Sequence, residues 1–260
     1  MYLRRPASTL AVALAGLSLV LAGCRGGGGQ PSPTPSSGEL AGPQALRSYR
    51  WTTELRADSS LFDQSKAPDA LRSSSFVLKA HVDGERVLPD RERLRTVVEP
   101  AAIGTRESVT VGGKRWNRIG NGPWRVGEEA FPAARAYFGG TATLSARTIL
   151  EAEETPSSAQ LRTEIASMPY QQETVATGPA RRYSMRPEQV ASILGDAALN
   201  PFAVLATLPA VRIDFWIDER RNVLVGVRVA GDTAMQAEAF LLDIHVTEME
   251  PPGLRIDPPR

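Results

Sequence analysis

The chain has 260 residues, of which 42% are hydrophobic and 23% are charged, and its formal net charge at pH 7 is +1. Because 30 basic residues are balanced by 29 acidic ones without a basic stripe, no nucleic acid partner is expected. A single cysteine excludes an internal disulfide.

Residues 1–23 have the features of a secretory signal peptide. Arg4 and Arg5 form a basic n-region without acidic residues, and the stretch from Leu10 to Ala22 is almost wholly apolar. Thirteen helical residues reach roughly 20 Å, which is less than the roughly 30 Å hydrocarbon core of a bilayer. The segment therefore predicts a cleaved signal rather than a membrane-spanning helix.

Cys24 follows Leu21, Ala22 and Gly23, an order that resembles the bacterial lipobox. The resemblance implies that Cys24 is the lipidation site, carrying a diacylglyceryl thioether, and becomes the mature N-terminus. Two or more acyl chains hold a protein stably on a membrane. We therefore expect an extracytoplasmic lipoprotein of the cell envelope; an unmodified cysteine in an ordinary signal peptide is the alternative.

Residues 24–43 predict a flexible tether and residues 44–260 a single folded domain. The tether is rich in Gly, Pro and Ser, and a flexible chain of this length has a root-mean-square reach of roughly 25 Å. Without Arg4 and Arg5, the mature chain has 30 − 2 = 28 basic residues against 29 acidic ones. Nothing in this charge balance favours a polyanionic partner.

Alternating apolar and polar side chains dominate the domain. In YRWTTELRAD, Tyr49, Trp51 and Leu55 fall on one side, whereas Arg50 and Glu54 fall on the other. The same alternation predicts strands over residues 76–83, 93–99, 107–119, 123–126, 180–185, 211–218, 223–229 and 240–246. Alternation of this kind is typical of an antiparallel sheet with one face in water.

Helices are predicted between the strands. Residues 187–199 begin with a proline at the first helical position and carry apolar residues at helical spacing. Residues 200–208 begin with Asn200 as a cap followed by Pro201. Two further helices are predicted over residues 128–138 and 142–154.

Two segments carry a family resemblance. VTVGGKRWNRIGNGPWRV predicts an aromatic hairpin, and VRIDFWIDERRNVLVGVRV predicts a strand, a charged turn and a second strand. With the N-terminal Tyr/Trp strand, their order resembles the LolA/LppX-like bacterial lipoproteins, over roughly Arg47 to Pro259. The resemblance implies an α+β fold in which a curved antiparallel half-barrel wraps around a few central helices and leaves an apolar cavity.

The resemblance also implies a function. Members of this family carry lipoproteins or glycolipids, so we expect a membrane-anchored carrier or chaperone that binds a lipid or an acyl chain. The alternative is an envelope sensor domain that binds a protein partner through the same fold. Trp216 bears on this choice, because its register opposite Phe215 makes it either an exposed docking residue or a cover for the outer surface of the strand.

The expected lipid-binding cavity is defined by the inward register of the strands and by the apolar stripes of the helices. Its lining residues are Trp51, Leu55, Phe76, Leu78, Val109, Val111, Trp124, Tyr183, Val190, Leu194, Phe202, Leu205, Ile213, Phe215, Val225, Val227, Leu242 and Ile244. The same aromatic residues are also explained as ordinary core that packs the helices.

No pattern in the sequence predicts catalysis. His81 and His245 fall on polar strand registers, and no spacing of His, Cys, Asp or Glu suits a metal. A G-x-S-x-G nucleophile elbow is lacking, and the pair Asp214 and Asp218 is typical of a solvated strand face. We therefore expect a protein that is not an enzyme and has no cofactor or metal.

Overall fold

A computed structural model describes residues 40–59, 76–99, 104–127, 165, 167–186, 189, 208, 210–232 and 238–259. These residues form one eleven-stranded sheet, preceded by a short 3₁₀ turn at Pro43–Ala45. The strands are β1 (Ser48–Asp58), β2 (Val77–Val87), β3 (Arg91–Glu99), β4 (Gly104–Val111), β5 (Lys114–Ile119), β6 (Arg125–Val126), β7 (Gln171–Val175), β8 (Gly178–Met185), β9 (Ala210–Asp218), β10 (Leu224–Asp232) and β11 (Phe240–Met249).

The sheet joins two meanders. Its strand order is β6-β5-β4-β3-β2-β1-β11-β10-β9-β8-β7, and neighbouring strands are antiparallel throughout. Strands β1 to β6 follow one another in space, as do β7 to β11. The first and last strands of the chain pair at the centre and make the two halves one sheet.

The expected α+β fold, with a half-barrel wrapped around central helices, is wrong. The described region is 66% strand and 5% helical, and it forms an open antiparallel sheet. The central helices were inferred from short apolar stripes and from the family resemblance, whereas strand alternation extends over most of the described chain. The four predicted helices lie outside the described residues except for Gln189 and Leu208.

The sheet has two chemically different faces. We call the face that carries Leu55, Leu78 and Phe215 the inner face and the opposite face the outer face. Burial alternates strictly along β1 and β2, where inner side chains are buried and outer ones are half-buried or exposed. Both faces are buried from Ile213 to Asp218 in β9, so the outer face is covered there as well.

Four short connections lie at one end of the sheet, which we call the short-turn end. Residues 88–90, 112–113, 176–177 and 219–223 connect β2 to β3, β4 to β5, β7 to β8 and β9 to β10 there. The opposite end receives two further short connections, 100–103 between β3 and β4 and 120–124 between β5 and β6. It also receives the long ones, of 18 residues between β1 and β2 (59–76) and 24 between β8 and β9 (186–209).

The segment that precedes β1 is fixed at the short-turn end. The Ala41 backbone N–H donates to the Asn222 carbonyl at 3.0 Å, and the Leu224 N–H donates to the Ala41 carbonyl at 2.8 Å. Leu40 and Leu46 are buried in the core. The chain that leads back to Cys24 therefore leaves the domain beside the turn between β9 and β10.

Gly84 in β2 makes room for the indole of Trp51. The two residues face each other in the register of β1 and β2, and a Cβ atom on Gly84 would lie 2.1 Å from Trp51 Cε2. Both residues lie on the inner face, where Trp51 is 1% exposed. The ring therefore packs flat against the backbone of the neighbouring strand.

We expect Gly84→Ala to lower the free energy of unfolding by about 1 to 3 kcal/mol, because the added methyl group overpacks the Trp51 ring. Urea denaturation of a double-mutant cycle measures the effect. In a Trp51→Ala background the same substitution has room and should cost much less. An equal loss in both backgrounds would show that the indole is not the obstacle.

Candidate functional site

Apolar rows cross the inner face from strand to strand. The longest runs through seven strands, β8 to β3, by direct register pairs. Its members are Met185, Ile213, Val229, Leu242, Leu55, Ala80 and Val98, none more than 3% exposed. With strands about 4.8 Å apart, this row is roughly 29 Å long. Among the described strands, it is the longest apolar row that the register pairs define.

A second row runs parallel to the first. It contains Tyr183, Phe215, Val227, Ile244, Thr53 and Val82, each 0–1% exposed. Thr53 is its one aliphatic hydroxyl. Because neighbouring inner positions along a strand are two residues apart, about 7 Å separates the rows.

The inner face becomes polar at the short-turn end. Tyr49, Arg86, Glu92 and Thr110 are register neighbours across β1 to β4 and are all buried. The Arg86 guanidinium donates to the carbonyl oxygens of Pro89 at 3.0 Å and Arg91 at 3.3 Å. It thereby fixes the turn between β2 and β3 from inside. The inner face is thus amphipathic along the strand direction.

Trp51 lies at the boundary between the polar and apolar parts. Its ring centroid is 5.6 Å from that of Tyr49, and its register neighbours on the inner face include Gly84 and Val246. The indole Nε1 is buried and has no hydrogen-bond partner within the described part of the chain. Buried polar groups of proteins are nearly always hydrogen-bonded, so this donor is unusual.

The structure brings together most of the predicted cavity residues that it describes. The inner face of β1, β2 and β8 to β11 carries Trp51, Leu55, Leu78, Tyr183, Ile213, Phe215, Val227, Leu242 and Ile244, all buried. Phe76 is half-buried against the same core. Val225 is buried at a register irregularity between Leu224 and Gly226. Val190, Leu194, Phe202 and Leu205 lie outside the described residues.

Three predicted lining residues lie on the other side of the sheet. Val109 pairs with Arg93 and Trp116, and Val111 shares the face of Val109. Trp124 is half-buried, with the Arg118 guanidinium 4.6 Å from its ring centroid. The inward register expected for this hairpin was wrong. Apolar residues of a strand usually lie on the face that packs in the core, but in β4 the inner face carries polar residues and the apolar ones lie on the outer face.

Trp216 is the centre of a cluster on the outer face, which we call the outer cluster: Glu173, Arg182, Asp214, Trp216 and His245. The indole Nε1 donates to Glu173 Oε2 at 2.5 Å. The Arg182 guanidinium lies 5.4 Å from the ring centroid, and the His245 ring meets it edge-on at 4.7 Å. Trp216 is 5% exposed, so it covers the outer surface of β9 and is not an exposed docking residue.

Gly226 allows this arrangement. It lies between Trp216 and His245 in the register of β9, β10 and β11. A Cβ atom there would be 2.5 Å from His245 Nδ1 and 3.2 Å from Trp216 Cε3. The two rings can therefore approach each other across β10 only because this position lacks a side chain.

Asp214 is the buried anion of the outer cluster. It accepts hydrogen bonds from Arg182 at 3.1 Å, Arg212 at 3.0 Å and the Ser184 hydroxyl at 2.5 Å. Burial disfavours its charged form, but these donors outweigh burial and hold the pKa of Asp214 below its ordinary value. In Glu173, the hydrogen bond from Trp216 is the main cause that lowers the carboxyl pKa, with Arg182 adding to it.

The two histidines are ion-pair residues of the outer face. His245 Nε2 lies 2.8 Å from Asp243 Oδ1. His81 contacts Glu54 through Nδ1 and Asp83 through Nε2, the latter at 3.1 Å. Partial burial lowers the pKa of His81, but the two carboxylates outweigh this effect and raise it above its ordinary value.

The outer cluster lacks the geometry of a nucleophilic site. Ser184 bonds to Asp214, and β9 and β10 separate it from His245, so the hydroxyl has no histidine base within reach. Among the described residues, no group of three or more metal-ligating side chains is found. The alternation pattern did not reveal the roles of Glu173, Arg182 and Gly226, since they depend on which strands become neighbours.

A polar pocket of about 300 Å³ opens at the short-turn end. Asp218 accepts from the backbone N–H groups of Arg220 and Arg221 there, and Arg221 pairs with Glu250 at 2.9 Å. These contacts close the turn between β9 and β10 on itself. The pocket wall is more polar than the inner face and does not suit an acyl chain.

No protein-family model matches the chain, and no curated protein matches it. In the part of the chain that the structure describes, no helix is long and apolar enough to cross a membrane.

We expect Asp214→Asn to lower the free energy of unfolding by roughly 3 kcal/mol at neutral pH, because it removes the anion that Arg182 and Arg212 share. The pKa of Asp214 is lower in the folded chain than its ordinary value of 3.8. The charged form therefore stabilises the fold fully above about pH 4, and this stabilisation is lost as the pH falls through the folded pKa.

Denaturation of both proteins between pH 7 and pH 3 checks the prediction: the difference in stability should narrow towards acid. Glu99→Gln is the control, since Glu99 pairs with Lys79 at 3.6 Å and both side chains are at least 60% exposed. That substitution should change stability by less than about 1 kcal/mol at any of these pH values. A constant gap for Asp214→Asn would contradict the assigned role of its charge.

Proposed function

We propose that the chain is a membrane-tethered carrier or chaperone that binds a lipid or an acyl chain on the inner face of its sheet. The observation that supports this proposal best is the pair of rows, which cross seven and six strands and are apolar except for the hydroxyl groups of Thr53 and Tyr183 in the second row. The longer row, of roughly 29 Å, compares with roughly 15 Å for one leaflet of a bilayer core. The surface is long enough for an extended acyl chain.

The energetics suit reversible binding. Burial of a sixteen-carbon chain releases on the order of 12 kcal/mol before the costs of association. The rows are buried by the chain itself, with exposures of 3% or less. An acyl chain must therefore replace contacts that the chain makes with itself, so its net affinity is only the difference. A carrier that later releases its ligand needs such a reduced affinity.

The tether fits this function. The predicted lipid on Cys24 holds the chain at the membrane, and the segment from Leu40 to Leu46 is packed at the short-turn end. The domain can stand roughly 25 Å from the headgroups on the intervening linker. This distance keeps the sheet close to a source of acyl ligands.

The alternative function, a sensor that binds a protein partner, was favoured by an exposed Trp216. That residue is buried beneath Arg182 and Glu173. The near-zero charge of the mature chain and the tether on Cys24 would also suit a stationary sensor, but they do not separate the two functions. The apolar rows favour the carrier, which is the function that we propose.

Lipid binding can be tested on the full chain carrying Cys24→Ser, which removes covalent acyl groups that would compete. We expect lipid mass spectrometry of protein purified from its native host to detect a co-purified lipid. We also expect a fluorescent acyl probe to bind the delipidated protein. Absence of both signals from folded protein would contradict the proposal.

A side chain that fills the inner face should weaken probe binding. We expect Ile244→Trp to weaken it by at least about tenfold, because the indole occupies part of the second row; the affinity is measured by probe titration. Thr52→Trp is the matched control, since Thr52 lies on the outer face of β1 opposite His245 and should leave the affinity unchanged. If Ile244→Trp lowers the melting temperature but not the affinity, the rows are ordinary core.

Cys24→Ser should also abolish lipidation, because the thiol is the atom that would receive the diacylglyceryl group. We expect no incorporation of labelled palmitate into the variant, and we expect the precursor to keep its signal peptide or to be cleaved aberrantly, which its mass would show. Palmitate labelling of Cys24→Ser would show that the lipobox interpretation is wrong.

A further inference from the structure

The indole N–H of Trp51 is a neutral donor of the inner face that is buried without a partner, and packing alone leaves it unexplained. Trp51 is 1% exposed, and within the described ranges its Nε1 has no hydrogen-bond partner. Trp216, which is buried on the outer face, donates its Nε1 proton to Glu173. A buried donor without an acceptor destabilises a fold. An acceptor supplied by a ligand would remove that cost.

The position of Trp51 indicates what such a ligand carries. On one side lies the buried polar row of Tyr49, Arg86 and Glu92. On the other side the inner face of β1 continues through Thr53 and Leu55 to Ala57, each 2% exposed or less. Six residues of strand separate Trp51 from Ala57, which corresponds to roughly 20 Å. A buried tract of about one acyl-chain length, in which Thr53 is the one polar residue, thus begins at an unpaired N–H donor.

The charges nearby favour a neutral acceptor. Arg86 is engaged by the carbonyl oxygens of Pro89 and Arg91, and Glu92 is its register neighbour. A carboxylate placed between Glu92 and the apolar rows would be desolvated and repelled by that side chain. An ester carbonyl offers the same oxygen lone pairs without the charge.

We propose that Trp51 Nε1–H donates a hydrogen bond to the carbonyl oxygen of an esterified acyl chain, whose hydrocarbon extends along β1 towards Ala57. This inference rests on the proposed function and assigns Trp51 as the residue that selects acyl esters over plain hydrocarbon. The substrate class is a fatty acyl ester, as found in glycerolipids.

The experiment uses the full chain with Cys24→Ser and three probes that differ only in their acceptor: methyl palmitate, palmitic acid and n-hexadecane. Affinities are measured by displacement of a fluorescent acyl probe. We expect wild-type Trp51 to bind methyl palmitate better than n-hexadecane, and Trp51→Phe to weaken methyl palmitate binding roughly two- to tenfold. The affinity for n-hexadecane should stay the same.

A spectroscopic readout keeps the test independent of the stability of the variant. In a ¹H–¹⁵N spectrum of the unsubstituted chain, the Trp51 indole proton should move downfield with methyl palmitate and not with n-hexadecane. Trp51→Phe assigns this signal. Trp116→Phe is the matched control, because Trp116 is half-buried on the outer face beside Lys114 and should alter neither affinity.

The outcomes separate the inference from the function on which it rests. If all the probes bind but Trp51→Phe weakens them equally, Trp51 contributes packing only and the inference is wrong while the carrier function stands. A preference for palmitic acid over the ester would overturn the choice of a neutral acceptor. Binding of none of the three probes to folded protein would overturn both proposals.

Discussion

The pairing of β1 with β11 is the constraint on which the rest of the structure depends. Nine residues of β1, from Tyr49 to Ala57, pair with partners in Phe240–Met249, about 190 positions later in the chain. Without this ladder the two meanders would be separate sheets, and each apolar row would end at an edge. The pair Leu55 and Leu242 joins the halves of the longer row, and Thr53 and Ile244 join those of the second. Because the two strands are far apart in the sequence, pairing them costs loop-closure entropy. The hydrogen bonds of the ladder and the apolar contacts of the joined rows must offset this cost.

Two aromatic–glycine contacts fix the sheet from opposite faces. On the inner face Trp51 packs on Gly84, and on the outer face Trp216 and His245 meet across Gly226. In each case a glycine lies inside a strand, although glycine weakens a strand through its backbone entropy. Its missing side chain lets a large ring lie against the backbone. The two sites differ in whether the indole N–H has a hydrogen-bond acceptor. Trp216 is fully satisfied by Glu173, whereas Trp51 Nε1 has no partner in the described chain. The outer contact therefore has the features of a structural site, and the inner one of a binding site.

Strands were predicted best from the sequence where one face of the sheet is exposed to solvent. Strands β1, β2, β3 and β11 were predicted because apolar and polar residues alternate along them, and burial follows this alternation throughout β1 to β3 and up to Val246 in β11. Strand β7 was missed: it lies at an edge, has no buried residue and therefore lacks an apolar period. The outer register of Trp216 was predicted correctly, but the sequence left open whether the ring is exposed or covers the strand. The residues that decide this, Arg182, Glu173 and Gly226, come from three other strands of the sheet.

Other errors have equally local causes. Val109 was expected on the inner face because apolar residues of a half-buried strand normally face the core, whereas in β4 the inner positions are taken by Arg106, Ser108 and Thr110. The alternation of Val223 to Val229 was read as continuous, but the register shifts between Leu224 and Gly226. A bulge of this kind adds one residue to one strand of a pair. The apolar residues on either side of it still alternate in the sequence, so the alternation pattern does not reveal the bulge.

The placement of polarity on the inner face links the fold to the proposed function. A sheet that served only as a core would gain stability from apolar residues along the whole inner face. Here the end nearest the tether carries Arg86 and Glu92, both buried, and the apolar rows begin beyond Trp51. Buried polar residues cost desolvation free energy unless they are paired, and Arg86 is paired with the carbonyl oxygens of the turn between β2 and β3. Their arrangement imposes a direction on any amphiphile that occupies the face, with its polar group towards the short-turn end and its hydrocarbon away from it. The same end receives the segment that leads to Cys24. In the proposed carrier, the polar group of the ligand would therefore lie on the side of the domain to which the predicted tether is joined.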